Sequence, residues 1–350
     1  MENKFNYNWT LKDAVFTKDK GTVFSCFACG GGSTMGYKLA GFDVIGCNEI
    51  DLKLIEVYKL NHKPKYAFNE PIQTFKNRDD LPAELFNLDI LDGSPPCSSF
   101  TMAGLRSKTW GKEKKFKEGQ AEQVLDTLFF DFIDLAKRLQ PKVVVAENVK
   151  GLLLGDAINY VKQIYKDLES AGYYVQHFLL DASTMGVPQR RERVFFIALR
   201  KDLASKFLKP IDLFNVLPYI KFKFKEKKIP FFKIKENNVK RQNLIDSYLI
   251  HWNNADSNGR SYKTKNGDTF GFFYKAINNL VCATITANNT YTIEDKAELL
   301  TTNELLKIGS FPTDYNFINV KPQYLIGMSV PPVMVARIAT EIYEQWLSKL

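Results

Sequence analysis

The chain is 350 residues long, with 45% apolar and 25% charged residues and a formal net charge of +9. That length supports a large core and more than one domain, and the charge suits a polyanionic partner. No apolar run approaches the roughly 20 residues of a membrane span. The N-terminal MENKFNYNWTLKD lacks the apolar centre of a signal peptide. The five cysteines have no framework spacing, so a reducing cytoplasmic setting with no membrane is expected.

Residues 22–28 (TVFSCFA) read as a strand, followed by the glycine turn CGGGSTMG and a helix from Thr34 to Ala40. FDVIGCNEI at 42–50 reads as a second strand ending at Glu49, with a helix from Asp51 to Asn61 behind it. Strand, glycine turn and helix begin a Rossmann-like unit, and an acid closing the second strand is placed to accept hydrogen bonds from ribose hydroxyls. The turn is not GxGxxG, which argues against a dinucleotide and for another adenosyl ligand. Taken alone, Glu49 is equally a solvated carboxylate. Cys26 and Cys29 form a single CxxC. Zinc needs two more ligands, and none are found, so no metal is expected.

The next strand, 88–92, runs into GSPPCSSFT at 93–101. Each proline fixes its own φ and discourages helix before it, so Cys97 is presented at a rigid strand exit. A buried, inert thiol is the plain alternative. The loop 98–120 carries Arg106, Lys108, Lys112, Lys114, Lys115 and Lys117, with Gly104, Gly111 and Gly119 as hinges. It reads either as a lid closing on phosphates or as a solvated loop. A helix over 121–139, a strand over 142–147, a helix over 156–171 and strands over 173–180 and 193–199 follow. Glu147 of ENV (147–149) sits at one strand exit, and QRRER (189–193), with Arg191 and Arg193, leads into the last strand. A cysteine, a glutamate and two arginines at strand ends imply one site on one sheet edge. His62 and His251 lie in polar segments and His177 lies in a strand, so no Cys–His pair is expected.

The fold class is α/β, a doubly wound, mostly parallel sheet. Over 201–275 the pattern breaks: sixteen Lys/Arg stand against seven Asp/Glu, which equals the whole net charge. KFKFKEKKIPFFKIK at 221–235 alternates with period two, the pattern of a strand with one basic and one apolar face. Nucleic-acid contact competes here with a solvated edge strand guarded by lysines. Helices are expected over 300–312 and 331–350. The implied domains are 1–200, a smaller domain at 201–280, and a return to the first at 281–350.

These strings, in this order, resemble the DNA (cytosine-5) methyltransferases of bacteria and their phages, and the resemblance runs from about 22 to 345. FACGGG (27–32), Glu49, SPPC with Cys97, DTLFF (126–130), ENV, QRRER, ATIT (283–286) and GMSVPP (327–332) look like successive motifs of that family. The resemblance implies a Rossmann-like methyltransferase sheet with a target-recognition domain at 201–280, S-adenosyl-L-methionine as cofactor and double-stranded DNA as partner. It implies catalytic roles for Cys97, Glu147, Arg191 and Arg193. Cofactor contacts are implied at Phe27, Ala28, Gly30, Gly31, Gly32, Glu49, Ile50, Ile72, Pro96, Leu128, Ser329 and Val330.

Four positions depart from the family pattern: Cys29 stands for a glycine, Ile50 for an aromatic residue, Pro71 for an acid and Met328 for an asparagine. They point to weaker cofactor binding and leave the catalytic residues intact. A monomer is expected, since one chain supplies every motif, with a restriction endonuclease as a possible companion. The rival readings are a tRNA cytosine-5 methyltransferase and a non-catalytic DNA-binding relative.

Overall fold

A computed structural model describes residues 3–96, 127–210, 216–261 and 273–350. They divide into two compact units. One comprises Phe16–Leu180, Glu192–Lys223 and Ile338–Leu350, the other Met1–Val15, Asp181–Arg191 and Phe224–Arg337. These boundaries differ from those expected at 200 and 280. Residues 281–337 belong with the smaller unit, and only 338–350 return to the larger.

The larger unit is built on β1 (Thr22–Cys26), α1 (Gly32–Leu39), β2 (Asp43–Asn48), α2 (Leu52–His62), β3 (Tyr66–Phe68), α3 (Ile72–Phe75), β4 (Ile90–Gly93), α4 (Leu128–Leu139), β5 (Val143–Val149), α5 (Ile158–Ser170), β6 (Tyr173–Asp181) and β7 (Glu192–Arg200). The strands form one sheet in the order β3-β2-β1-β4-β5-β7-β6. Its members from β3 to β5 are parallel, and β7 runs antiparallel to β5. Because β1, β4 and β5 run the same way, their C-terminal ends share one edge, and the reversal brings the start of β7 there too.

Local chemistry accounts for the elements. Asp51 caps α2 by accepting from the N–H groups of Lys53 (2.8 Å) and Leu54 (3.2 Å). In α4, Leu128, Phe132, Leu135, Ala136 and Leu139 fall on one face at helical spacing and are buried. They pack with Phe24, Leu91, Val144 and Phe196 of the strands in one apolar core.

After β7 come a short hairpin, β8 (Leu208–Pro210) with β9 (Val216–Pro218), then α6 (Asp246–Asn253), β10 (Phe273–Ala276), β11 (Thr290–Ile293), α7 (Thr302–Ile308), α8 (Pro322–Met328) and α9 (Pro332–Gln345). Residues 246–253 are thus helical within the stretch where the α/β pattern breaks.

The strand expected over 221–235 is not one. Lys221, Lys223, Lys225 and Lys227 are exposed and Phe222 and Phe224 half-buried, so the chain is extended and alternating, yet it joins no sheet ladder. The N–H groups of Glu226, Phe231 and Phe232 donate to the carbonyls of Thr184, Leu280 and Asn278 as single bonds, and Lys221 pairs with a side chain. The N–H of Lys221 donates to Gln345 Oε1, and Gln345 Nε2 donates back to the Lys221 carbonyl, each at 2.9 Å. The ring of Phe222 packs on Phe178 at 4.7 Å between centroids. Period-two burial reports an extended chain lying on a surface, which need not be a paired strand.

One apolar stretch, contrary to expectation, does reach the length of a membrane span. Pro322–Lys349 contains a window long and apolar enough to cross a membrane, but 83% of that window is buried inside the protein. Helix α8 ends at Met328 and α9 starts at Pro332, so the stretch is two core helices rather than one continuous span.

Candidate active site

Between β1 and α1 the backbone turns sharply, with Phe27 (φ 52°), Cys29 (φ 50°) and Gly31 (φ 84°) all left-handed. Only Gly31 adopts that conformation without steric cost. A Cβ there would also lie 2.2 Å from Nε2 of His62. The departure at Cys29 therefore puts a side chain where a glycine would be unstrained. Glu49 follows β2 directly and is buried. Its Oε2 accepts from the Cys29 N–H at 2.7 Å and its Oε1 from the Asp51 N–H at 2.9 Å. Burial raises the Glu49 pKa, and these backbone donors oppose the rise. The pair of bonds fixes both carboxylate oxygens beside the glycine turn. A turn of close-approaching backbone with an oriented acid on the neighbouring strand suits a ribose-bearing cofactor.

The other residues expected at the cofactor vary in what they offer. Phe27 is half-buried and packs against Phe132, while Ala28 is buried beside Cys47, Ile55 and Tyr58. Gly30, Gly31 and Gly32 form the turn and the entry to α1. Ile50 is half-buried. Ile72 opens α3 behind Pro71, with its side chain in the core. Leu128, the first residue of α4, is likewise in the core. Pro96 is half-buried. Ser329 and Val330, both buried, belong to the smaller unit, where the Ser329 N–H donates to the Leu325 carbonyl at the end of α8. Glu70, next to Pro71, accepts from Arg78 at 3.0 Å.

At the sheet edge where β1, β4 and β5 end, β4 runs out through Ser94, Pro95 and Pro96. Cys97, the lid expected at 98–120 and Asp126 of DTLFF lie outside the described residues. On β5, Glu147 is followed by Asn148, whose Nδ2 donates to the Pro95 carbonyl at 3.1 Å. In the β5–β7 register Val149 faces Arg193, which makes Glu147 its diagonal neighbour on the same sheet face. Arg193 Nε lies 2.9 Å from Glu147 Oε1, with the side chains 16% and 11% exposed. Nη1 of Arg193 donates to the Glu192 carbonyl at 2.8 Å. Burial pushes the Arg193 pKa down while the Glu147 charge opposes it. Two of the five guanidinium donors are accounted for by these bonds.

Arg191 belongs to the smaller unit and is 2% exposed. Its Nη1 donates to the Ile285 carbonyl (3.0 Å) and its Nη2 to the Gly327 carbonyl (3.1 Å). A Cβ on Gly327 would sit 2.4 Å from the Thr286 backbone, so the two segments touch where Arg191 joins them. These are positioning contacts between ATIT and GMSVPP.

Comparison with known proteins gives this constellation a context. The profile of the C-5 cytosine-specific DNA methylases matches residues 21–344. The chain belongs to that family. Type II methyltransferase M.FnuDI of Fusobacterium nucleatum is 39% identical over 182 residues, which cover 52% of this chain and 47% of that protein. M.NgoPII of Neisseria gonorrhoeae is 34% identical over 54% of this chain and 50% of its own length. The chain thus spans about half the length of these two relatives. M.Bsp6I of Bacillus sp. (strain RFL6) is 27% identical over 93% of this chain and 99% of its own. Among solved structures, that of a mutant of Spodoptera frugiperda DNMT2 has the same fold, with a TM-score of 0.64 at 20% identity over 92% of this chain and 99% of that one.

Sequence reasoning missed several residues of this chain. His62 lies in a polar segment yet is buried against the glycine turn, its Nε2 3.4 Å from the Gly30 carbonyl, and burial pushes its pKa down to about 3. A neutral imidazole is therefore part of the turn's support. His251 is also buried, with Nδ1 3.3 Å from the Ser261 hydroxyl. Gln189 fixes the segments beside Arg191, accepting from the Ile285 N–H (3.0 Å) and donating to the Ile308 carbonyl (3.2 Å). Asp92, a buried acid inside the apolar run DILDG, carried a legible signal: an ionisable residue in the middle of a core strand needs partners.

Proposed function

We propose that this protein is a DNA methyltransferase that places a methyl group on carbon 5 of cytosine within a specific duplex sequence, with S-adenosyl-L-methionine as donor. The observation that carries the proposal is the Glu147–Arg193 ion pair, anchored at the sheet edge from which β4 leads to Cys97. Carbon 5 is a weak nucleophile and must first be made electron-rich. Cys97 Sγ would bond to carbon 6 of the ring. Glu147 would hold N3 and the exocyclic amino edge, supplying a proton or hydrogen bond as charge develops. Arg193 would hold O2, and the Asn148 bond to Pro95 would keep the nucleophile's segment against β5. Covalent addition splits one hard step into easier ones. When bound, the cofactor supplies an electrophilic methyl group on a sulfonium. The residues of the larger unit expected to hold it are those of the Phe27–Gly32 turn and Glu49, together with Pro96 and Leu128. Once carbon 5 carries the methyl group, its proton would pass to water, the freed electron pair would restore the double bond between carbons 5 and 6, and Cys97 Sγ would leave carbon 6 as the thiolate.

The target atoms are out of reach inside a duplex, so the cytosine must be flipped out, at a cost of a few kcal/mol. Phosphate contacts from exposed lysines such as Lys221, Lys223, Lys225 and Lys227 would be salt-sensitive and blind to sequence. Base reading is assigned to the segment 201–280. The similarity to Type II methyltransferases supports a modification role beside a restriction endonuclease.

The test is methyl transfer to unmethylated genomic DNA, read by bisulfite sequencing, with Cys97→Ala alongside. Modified cytosines in one short context, absent with Cys97→Ala, establish activity, nucleophile and site together. Folded wild-type protein that modifies no cytosine in DNA refutes the proposal.

A further inference from the structure

Ser25 of β1 and Asp92 of β4 are register partners on one sheet face. Asp92 Oδ2 accepts from the Ser25 hydroxyl and from the Ser33 hydroxyl of α1, each at 2.8 Å. Its Oδ1 accepts from the Tyr37 hydroxyl, one helical turn beyond Ser33, at 3.1 Å. All four residues are buried. An ionised carboxylate only accepts, which matches three converging donors. Charge-assisted bonds of this kind are the strong ones. A protonated Asp92 would itself donate, and one hydroxyl would have to turn away. Two of the three belong to the helix that the glycine turn opens.

We propose that Asp92 is a positioning residue for the cofactor turn and acts as an anion, gripping the start of α1 in the arrangement that accepts S-adenosyl-L-methionine. The inference rests on the function proposed above. Among the described residues, the groups facing Asp92 do not supply a counter-charge. Cys26 of β1 has its thiol pKa pushed well up by burial, and that of Tyr37 on α1 is pushed well up too, so both stay neutral. Glu147 of β5 adds a like charge, and beside Gly93 stands the apolar ring of Phe132 from α4. Burial lifts Asp92 to about 6 against the pull of its three donors, so its ionisation falls where binding is measurable.

The test is calorimetric affinity for S-adenosyl-L-methionine between about pH 5 and 8, with melting temperature recorded, for the full-length wild type, Asp92→Asn, Ser33→Ala and Tyr37→Phe. Asn keeps the shape and loses the charge. Wild-type affinity is expected to fall about tenfold per pH unit below the Asp92 pKa, as one required ionisation dictates. Asp92→Asn should bind about tenfold more weakly at pH 7.5, lack that fall, and melt no lower than wild type. Should Asp92→Asn fail to fold, Ser33→Ala and Tyr37→Phe carry the test. Each removes one donor to the anion and should move the midpoint of the pH profile upward, which a merely structural role would not do. An Asp92→Asn variant with wild-type affinity and the same pH fall would assign the titration to Glu49 and overturn the proposal alone. A wild type that binds no S-adenosyl-L-methionine at pH 7.5 would overturn the functional reading as well.

Discussion

The side-chain amide of Asn148 donates to the Pro95 carbonyl across 3.1 Å in the protein interior. The β4–β5 ladder ends at the pair Gly93 and Ala146. Asn148 therefore carries the pairing two residues further with a side chain, where the prolines cannot donate. The rigid exit toward Cys97 is tied to the strand that bears Glu147.

Asn148→Ala should leave the Pro95 carbonyl buried without this donor, a loss of about 1–3 kcal/mol. If expressed in the chemical step, that is roughly a 5- to 150-fold slower single-turnover methyl transfer. Binding of S-adenosyl-L-methionine, measured on the same protein, should change much less.

Glu147→Gln keeps shape and removes the charge that pairs with Arg193. Methyl transfer should fall by about 10²–10⁴, the usual range for a positioned acid–base group. Arg193→Ala is different, because it strands Glu147 as a largely buried anion and should also destabilise the fold by about 3 kcal/mol. Melting curves on both variants separate the two effects. Equal melting temperatures would show that the pair carries no stability.

Arg191→Lys tests the bridge between the Ile285 and Gly327 carbonyls. A guanidinium spans two acceptors with separate nitrogens, while an ammonium is a point donor. The expected result is a loss of roughly 1.5–3 kcal/mol in chemical denaturation, one charged hydrogen bond's worth, with Arg191→Ala losing more.

Cys29→Gly should go against the usual destabilising effect of glycine. The left-handed backbone at Cys29 costs about 1–2 kcal/mol for a side chain, while glycine gives back about 0.5–1 kcal/mol through unfolded-state entropy. A small rise in melting temperature is expected, with tighter cofactor binding if the side chain obstructs approach. A marked fall would show that the thiol's packing outweighs the strain.

The pH dependence of stability isolates Asp92. Its pKa rises from an ordinary 3.8 to about 6 on folding. The folded state thus prefers the protonated acid, and stability falls as pH rises through that interval, then stays lower above it. Two pKa units correspond to roughly 3 kcal/mol. Subtracting the Asp92→Asn stability profile from the wild-type profile should reveal this slope, since other carboxylates contribute equally to both. At neutral pH the variant should be the more stable protein. The same residue that orders the cofactor turn would then be held at a cost in stability, a trade common at functional sites.

Most of the larger unit was legible because its signals are local. The run from β1 through the glycine turn to α1, the Asp51 cap of α2 and the apolar face of α4 each follow from residues close in sequence. The strands β4, β5 and β7 were readable for the same reason, as apolar runs bounded by Pro-Pro, by ENV or by QRR, although β5 continues past Glu147 to Val149. The segment 221–235 misled, because period-two alternation is shared by every extended chain with one face packed. Whether its backbone found a strand or the side chain of Gln345 depended on residues more than a hundred positions away.

Sequence by itself determined the family, the α/β class and the residue types of the chemistry, since motif order and hydrophobic periodicity are properties of the chain. Tertiary structure alone decided the partners. The Glu147–Arg193 pair comes from an antiparallel register, and the Arg191 bridge from two carbonyls 42 positions apart. The donors on Asp92 converge because β1 and β4 are neighbours in the sheet and α1 covers them. Hydrogen bonds and ion pairs act over about 3 Å, a distance that only folding brings to residues so far apart in sequence.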